Sequence, residues 1–168
     1  LKEIINTTAP DILINLAAMT NVDACELNPK LAGEINVAGL QHICDSFKGK
    51  IIHLSTDYVF DGTSGPYKED DPLNPISIYG KTKLASEHIL LEKDIKNLVI
   101  RGNVLYDYSP HTSASFLNWV VSSLKGNQEI KVVEDQFNNP TWTRSMSDII
   151  ELSIKNDLKG IIHWGDSV

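Results

Sequence analysis

The feature that most constrains this chain is the run "DILINLAA" at 11–18, which is almost continuous in apolar residues, and "KIIHLS" at 50–55 repeats it. A strand with one wet face alternates apolar and polar residues, whereas an unbroken apolar strand needs cover on both faces. In α/β proteins that cover is a layer of helices on each side of a parallel sheet. Three more β-rich runs, at 97–102, 129–133 and 160–164, extend the series. Between them lie segments with helical period. "PKLAGEINVAGLQHICDSF" at 29–47 opens on a proline suited to a first helical turn and repeats Leu31, Ile35, Ala38, Ile43 and Phe47 along one side. A second helix starts near Ser77 and runs through "YGKTKLASEHILLEK"; a third covers 113–125 and a fourth 145–157. The alternation predicts an α/β doubly wound parallel sheet whose ligands meet the carboxyl ends of the strands.

Composition removes several classes of function. With 42% apolar and 22% charged residues the chain is an ordinary globular one, and no apolar run approaches the roughly 20 residues of a membrane span. The first ten residues have neither the basic start nor the apolar centre of a signal peptide. A net charge of −7 offers no broad cationic face, so neither nucleic acid nor membrane is an expected partner. Cys25 and Cys44 sit among apolar residues without metal-ligand spacing and read as free thiols of a cytoplasmic protein. None of the five histidines has ligand spacing, and no metal site is expected.

Two features point to chemistry. Tyr79 and Lys83 share one face at a helix start, where an ammonium group would stabilise the phenolate left by a proton-donating tyrosine. The pair is a weak signal alone, and a helix-start aromatic beside a solvated lysine accounts for it equally well. Ser55, Thr56, Asp57 and Tyr58 end an apolar strand, either as an ordinary Ser/Thr or Asx turn or as hydroxyls held toward a substrate oxygen. "NLAA" at 15–18 ends the preceding strand in small residues, which suits a flat ligand or plain helix packing. The 18 residues "FDGTSGPYKEDDPLNPIS", with two Gly and three Pro, form a long irregular excursion of the kind that carries function.

In order, "NLAA", "EINVAG", "STDYVFDG", "PYKEDDPLNPISIYGKTKLASE", "VIRGNVLY" and "DQFNNPTWT" resemble the extended short-chain dehydrogenases/reductases, and within them the branch of dTDP-4-dehydrorhamnose reductase and related sugar-nucleotide reductases. The resemblance covers nearly all 168 residues. It implies a Rossmann-like sheet lacking its first βαβ unit at 1–106, with part of a smaller sugar-nucleotide-binding region at 107–168. It implies an NAD(P)-dependent oxidoreductase acting on a nucleotide-linked 4-keto sugar, in deoxysugar and cell-surface polysaccharide synthesis, with NADP or NAD as cofactor and a homodimer as the expected assembly. Thr56, Tyr79 and Lys83 match the catalytic triad. Asn15, Ala17, Ala18 and Ser55, with Tyr79 and Lys83, match cofactor-facing positions. Asp57, Tyr58, Asn103, Gln136, Asn139, Pro140 and Thr141 match the substrate side, and Asn36 matches a supporting helix asparagine.

Two departures stand beside the match. No three of the ten glycines form the glycine-rich turn that holds a cofactor pyrophosphate, so these residues alone are expected to bind the cofactor poorly and to leave the 11–18 strand as an open edge. Arg101-Gly102-Asn103-Val104-Leu105-Tyr106 also lacks the tryptophan that the branch commonly carries there. The other reading is a regulatory subunit of the same fold, like the β subunit of methionine adenosyltransferase, which binds a partner enzyme.

Overall fold

The structure, a computed structural model, describes residues 1–108 and 116–166. Its first compact unit is Leu1–Arg101 with Asn156–His163. Here α1 (Lys2–Thr8) runs into β1 (Ile12–Asn15), followed by the short α2 (Val22–Leu27). The long helix α3 has α-helical parts Pro29–Gly33 and Gly39–Ser46 joined by a π-helical turn, Glu34–Ala38. Then come β2 (Lys50–Thr56), a 3-10 turn at Asp57–Val59, α4 (Ile78–Lys93) and β3 (Leu98–Gly102). With β6 (Gly160–Trp164) these strands form a sheet ordered β1-β2-β3-β6. β1 and β2 are parallel, with Ile12 opposite Lys50 and Asn15 opposite His53. The α/β class and parallel pairing expected from the apolar runs are present.

Apolar continuity works as expected in β2 and β3, of which nearly every residue is buried. Ile51 and Val99 join Leu40, Cys44 and Phe47 of the α3 side and Leu90 of α4 in one core cluster. A fully buried Leu or Ile stabilises by roughly 1.5–3 kcal/mol, so this cluster fixes α3 and α4 against the sheet. β1 differs because it is an edge, and Ile14 is 42% and Leu16 61% exposed. That is the open edge expected for 11–18.

The second unit comprises the described part of Gly102–Lys155 and Trp164–Val168. It holds β4 (Leu105–Tyr106) paired in parallel with β5 (Thr141–Trp142), α5 (Phe116–Lys125) and α6 (Thr143–Lys155). The expected strand at 129–133 is absent: that segment is irregular, and Val132 and Val133 are 55% and 66% exposed. Its β-branched residues have no neighbouring strand to pair with, and strand preference expresses that packing rather than the backbone alone. Residues 113–115 of the expected third helix lie outside the described residues.

Candidate active site

The site is built where β2 ends and α4 begins. Ser77 caps α4 by accepting the Gly80 N–H at 3.0 Å, and Glu26 of α2 accepts the Ile78 N–H at 2.6 Å. A serine cap and a carboxylate at a helix N-terminus both stabilise that first turn, the turn that carries Tyr79. Gly80 lets the turn lie directly on the main chain of Tyr58, since a Cβ there would collide with the Tyr58 carbonyl and touch Pro75. Gly80→Ala is therefore expected to push Tyr79 away from β2 and to lower stability by about 1–3 kcal/mol. Urea unfolding of the full-length variant checks this, and an unchanged midpoint would show that the turn has slack.

Thr56 is the last residue of β2 and is buried. Its hydroxyl donates to Asp57 Oδ1 at 3.1 Å and accepts the Tyr58 N–H at 3.3 Å, and it lies close enough to the Tyr79 phenol to influence it. The Tyr58 ring meets Tyr79 edge-on, with centroids 5.6 Å apart. Burial pushes the Tyr79 phenol above its usual range; the Thr56 hydroxyl draws it back, and Asp57, Cys25 and Tyr58 add to the rise. Burial likewise raises the Asp57 carboxyl, against the hydrogen bond from Thr56. Thr56 and Tyr79 thus stand as neighbours where β2 ends and α4 begins.

Lys83 follows one turn along α4 and is 2% exposed. Its Nζ donates to the Leu54 carbonyl at 2.7 Å and lies 3.0 Å from His53 Nε2. Burial lowers its pKa to about 8, opposed by the charge of Glu87. Leu54 and His53 thus engage the Lys83 ammonium group.

Asn36 lies in the π-helical turn of α3, where one extra residue per turn alters the direction of the side chains. Its Oδ1 accepts the Met19 N–H at 2.7 Å, and its Nδ2 donates to Met19 O at 3.1 Å and to Thr82 Oγ1 at 3.0 Å. Thr82 in turn donates to Tyr79 O at 2.9 Å. The asparagine thus ties the segment after β1 to the turn that carries Tyr79. Ala17 is exposed and Ala18 half-buried, leaving an open, small-residue edge beyond Asn15.

Ser55 is placed differently from its expected cofactor-facing position. It is buried and donates to Glu87, which also receives Arg101 Nη2 at 2.8 Å and Nε at 3.1 Å. Arg101 Nη1 reaches the Glu69 carbonyl and His163 Nε2, both at 3.3 Å, and the guanidinium stacks over Phe60. Glu69 accepts the His163 N–H at 2.8 Å. Asp61 organises the rest of the 60–77 excursion, receiving the Tyr67 hydroxyl at 2.6 Å and Asn74 Nδ2 at 3.0 Å. His53, Glu87 and Arg101 were missed from sequence. The signal for Glu87 was its position one turn beyond Lys83 on the same helix face.

In the second unit, Thr141 is fully buried and its N–H donates to Asn103 O at 3.0 Å, while its hydroxyl donates to Trp164 O at 3.2 Å. Pro140 O accepts the Asp166 N–H at 3.4 Å, and Asn139 packs on Gly165. Gln136, Asn139 and Pro140 are exposed. Among the described residues, Asn103 Oδ1 is buried without a hydrogen-bond partner, and no group of three or more His, Cys, Asp or Glu could hold a metal ion.

A family model described as the RmlD substrate binding domain matches residues 1–167. The chain belongs to that family. Among relatives of this RmlD-family chain, a dTDP-4-dehydrorhamnose reductase of Burkholderia thailandensis is 37% identical over 152 residues, covering 88% of this chain and 50% of the relative. The methionine adenosyltransferase 2 subunit beta of Xenopus tropicalis is 31% identical over 172 residues, covering 97% and 52%. The crystal structure of a Bacillus anthracis dTDP-4-dehydrorhamnose reductase in complex with NADP superposes with a TM-score of 0.91 at 31% identity, over 99% of this chain and 60% of that one. The RmlD-family chain thus spans about half the length of the curated relatives it matches.

Proposed function

We propose that the full-length protein is a cytoplasmic NAD(P)H-dependent reductase of a nucleotide-linked 4-keto sugar, of the dTDP-4-dehydrorhamnose reductase type, working in deoxysugar and cell-surface polysaccharide synthesis. The observation that carries this reading is the placing of Thr56 beside Tyr79 where β2 ends and α4 begins, with a buried Lys83 one helical turn beyond. Several relatives named dTDP-4-dehydrorhamnose reductase support it over the partner-binding regulatory subunit. The buried free thiols Cys25 and Cys44, and the lack of any membrane-length apolar helix among the described residues, agree with the cytoplasmic assignment.

The donor set fits the nicotinamide cofactor: a phenol, a hydroxyl and an amine gathered beside a strand end of small residues. When bound, that cofactor supplies the hydride. Tyr79 donates its phenolic proton to the ketone oxygen as the carbonyl becomes an alcohol, and a positioned acid of this kind contributes about 10²- to 10⁴-fold. Thr56 holds the same oxygen through its hydroxyl. Lys83 has two of its three ammonium hydrogens engaged by Leu54 and His53, which leaves one for a ribose hydroxyl. Asn15, Ala17 and Ala18 serve the cofactor side, and Asp57 and Tyr58 the sugar nucleotide; within the second unit Asn103, Gln136, Asn139 and Pro140 are assigned to the sugar nucleotide, whereas Thr141 is fully buried and holds its segment through Asn103 O and Trp164 O. The complete enzyme is a homodimer in this reading.

Consumption of NADPH or NADH by the full-length protein, with and without dTDP-4-dehydrorhamnose, tests the proposal. Consumption that depends on the sugar nucleotide is expected. If a partner enzyme co-purifies and no sugar-dependent consumption occurs, the regulatory reading replaces it. Residues 1–168 alone, with no glycine-rich turn, are expected to bind NADPH at least 100-fold more weakly than the full-length protein, by roughly the 2.7 kcal/mol that corresponds to that ratio. Titration of cofactor fluorescence checks this, and equal affinities would place the pyrophosphate site within these residues.

A further inference from the structure

We propose that Glu26 and Thr82 are positioning residues for Tyr79, holding the main chain of its turn at the Ile78 N–H and at the Tyr79 carbonyl, so that the phenol and the segment after β1 keep their places as one unit. This role rests on the reading of Tyr79 as the proton donor and adds to it two side chains outside the Thr56–Tyr79–Lys83 set.

The first hold comes from far along the chain. The first N–H groups of a helix have no partner within it. Ser77 meets that need locally, accepting the Gly80 N–H at 3.0 Å, whereas the Ile78 N–H is taken at 2.6 Å by Glu26, 52 residues away. That hydrogen bond is exposed, so water would satisfy the Ile78 N–H equally well. What the carboxylate adds is a fixed place, because α2 is itself tied down. Asn21 caps α2 by accepting the Ala24 N–H at 2.8 Å, and the fully buried Cys25 donates to the Met19 carbonyl at 3.5 Å.

The second hold is a chain of directed hydrogen bonds. Asn36 Oδ1 accepts the Met19 N–H, so its Nδ2 is the donor, with one hydrogen for Met19 O and one for Thr82 Oγ1. Thr82 accepts there, and its single hydrogen goes to the Tyr79 carbonyl at 2.9 Å. A threonine that bonds back to its own helix is common and by itself says little. This one is also gripped from outside the helix, by an amide 3% exposed and bonded to both main-chain groups of Met19. Both holds therefore end on residues 19–26, and together they bracket the Tyr79 Cα. A turn held at one point pivots about it; two points fix the direction in which the side chain leaves. A displacement of about 1 Å in a reacting group costs up to about 100-fold in rate, so this direction matters to a proton donor.

The test compares Glu26→Met, Thr82→Val and their combination in the full-length protein, with Glu26→Gln as the variant that keeps an acceptor oxygen. Each single change is expected to lower kcat about 3-fold and the double about 30- to 100-fold, more than the product of the two, because either hold alone still restrains the turn. KM for the sugar nucleotide and cofactor affinity should stay within about 2-fold, since the proton is given up only in the transition state, and Glu26→Gln should keep nearly full kcat. A second readout is independent of turnover: the NMR signals of the Tyr79 ring, displaced by the Tyr58 ring at 5.6 Å, should move toward those of an exposed tyrosine in the double variant and stay in place in Glu26→Gln. Unchanged kcat in the double variant, a change confined to KM, or a loss in Glu26→Gln equal to that in Glu26→Met would overturn the proposal. Unmoved Tyr79 ring signals in the double variant would overturn it and leave the reductase reading standing. Moved ring signals in a protein that reduces no sugar nucleotide would overturn the reductase reading and leave the two-point hold standing.

Discussion

Tyr79→Phe in the full-length protein is expected to lower kcat by about 10²- to 10⁴-fold while leaving cofactor affinity nearly unchanged. The variant keeps the ring that meets Tyr58 edge-on and removes only the hydroxyl beside Thr56. Because the proton is given up in the transition state, its loss falls on kcat and kcat/KM together rather than on ground-state binding. Steady-state kinetics with a parallel cofactor titration separate the two effects. Lys83→Ala should differ by weakening cofactor binding as well, since it removes the hydrogen left over after Leu54 and His53 are served. Full activity in Tyr79→Phe would remove the phenol from the mechanism.

The second large effect concerns folding. Glu87 and Arg101 are each about 1% exposed on their side chains and bond to one another through two donors, with Ser55 as a further donor to Glu87. Glu87→Leu leaves the Arg101 cation buried against Phe60 without its counter-charge, and breaking one half of a buried pair destabilises by about 3–5 kcal/mol. Arg101→Met combined with Glu87→Leu removes both charges and is expected to recover most of that loss, because the penalty lies in the unpaired ion rather than in the missing bond. Denaturant unfolding of the single and double variants measures both. Equal destabilisation in the two would show that specific geometry, not the buried charge, is what the pair supplies. Glu87 joins α4 to β2 and β3, so this pair also sets the depth of the helix that carries Tyr79 and Lys83.

How much of this was legible follows from where the energy lies. The apolar runs of β2 and β3 were readable because burial on both faces leaves no place for polar residues, and Tyr79 and Lys83 were readable because one helical turn relates them in space. Asp61, Thr63, Tyr67 and Asn74 gave the 60–77 excursion its internal bonds, yet only its glycines and prolines were visible as a pattern. The π-helical turn at Glu34–Ala38 left no mark, since its apolar spacing fits an ordinary helix. The short α2 escaped because six residues hold no periodicity; Asn21, which caps it by accepting the Ala24 N–H at 2.8 Å, was the one cue. The strand expected at 129–133 failed for the converse reason, a suitable composition with nothing to pair against. His53 was hidden because a single histidine in an apolar strand has the same appearance whether it fills space or faces a lysine.

The most direct measurement is isotope transfer. The full-length protein would be incubated with NADPH carrying deuterium at C4 of the nicotinamide and with dTDP-4-dehydrorhamnose, and the sugar product analysed by NMR. The account predicts deuterium on C4 of the sugar with the unaltered protein, and a rate about 10²- to 10⁴-fold lower with Tyr79→Phe. A sugar recovered unreduced from the folded protein with bound cofactor, or deuterium delivered equally fast by Tyr79→Phe, would contradict it.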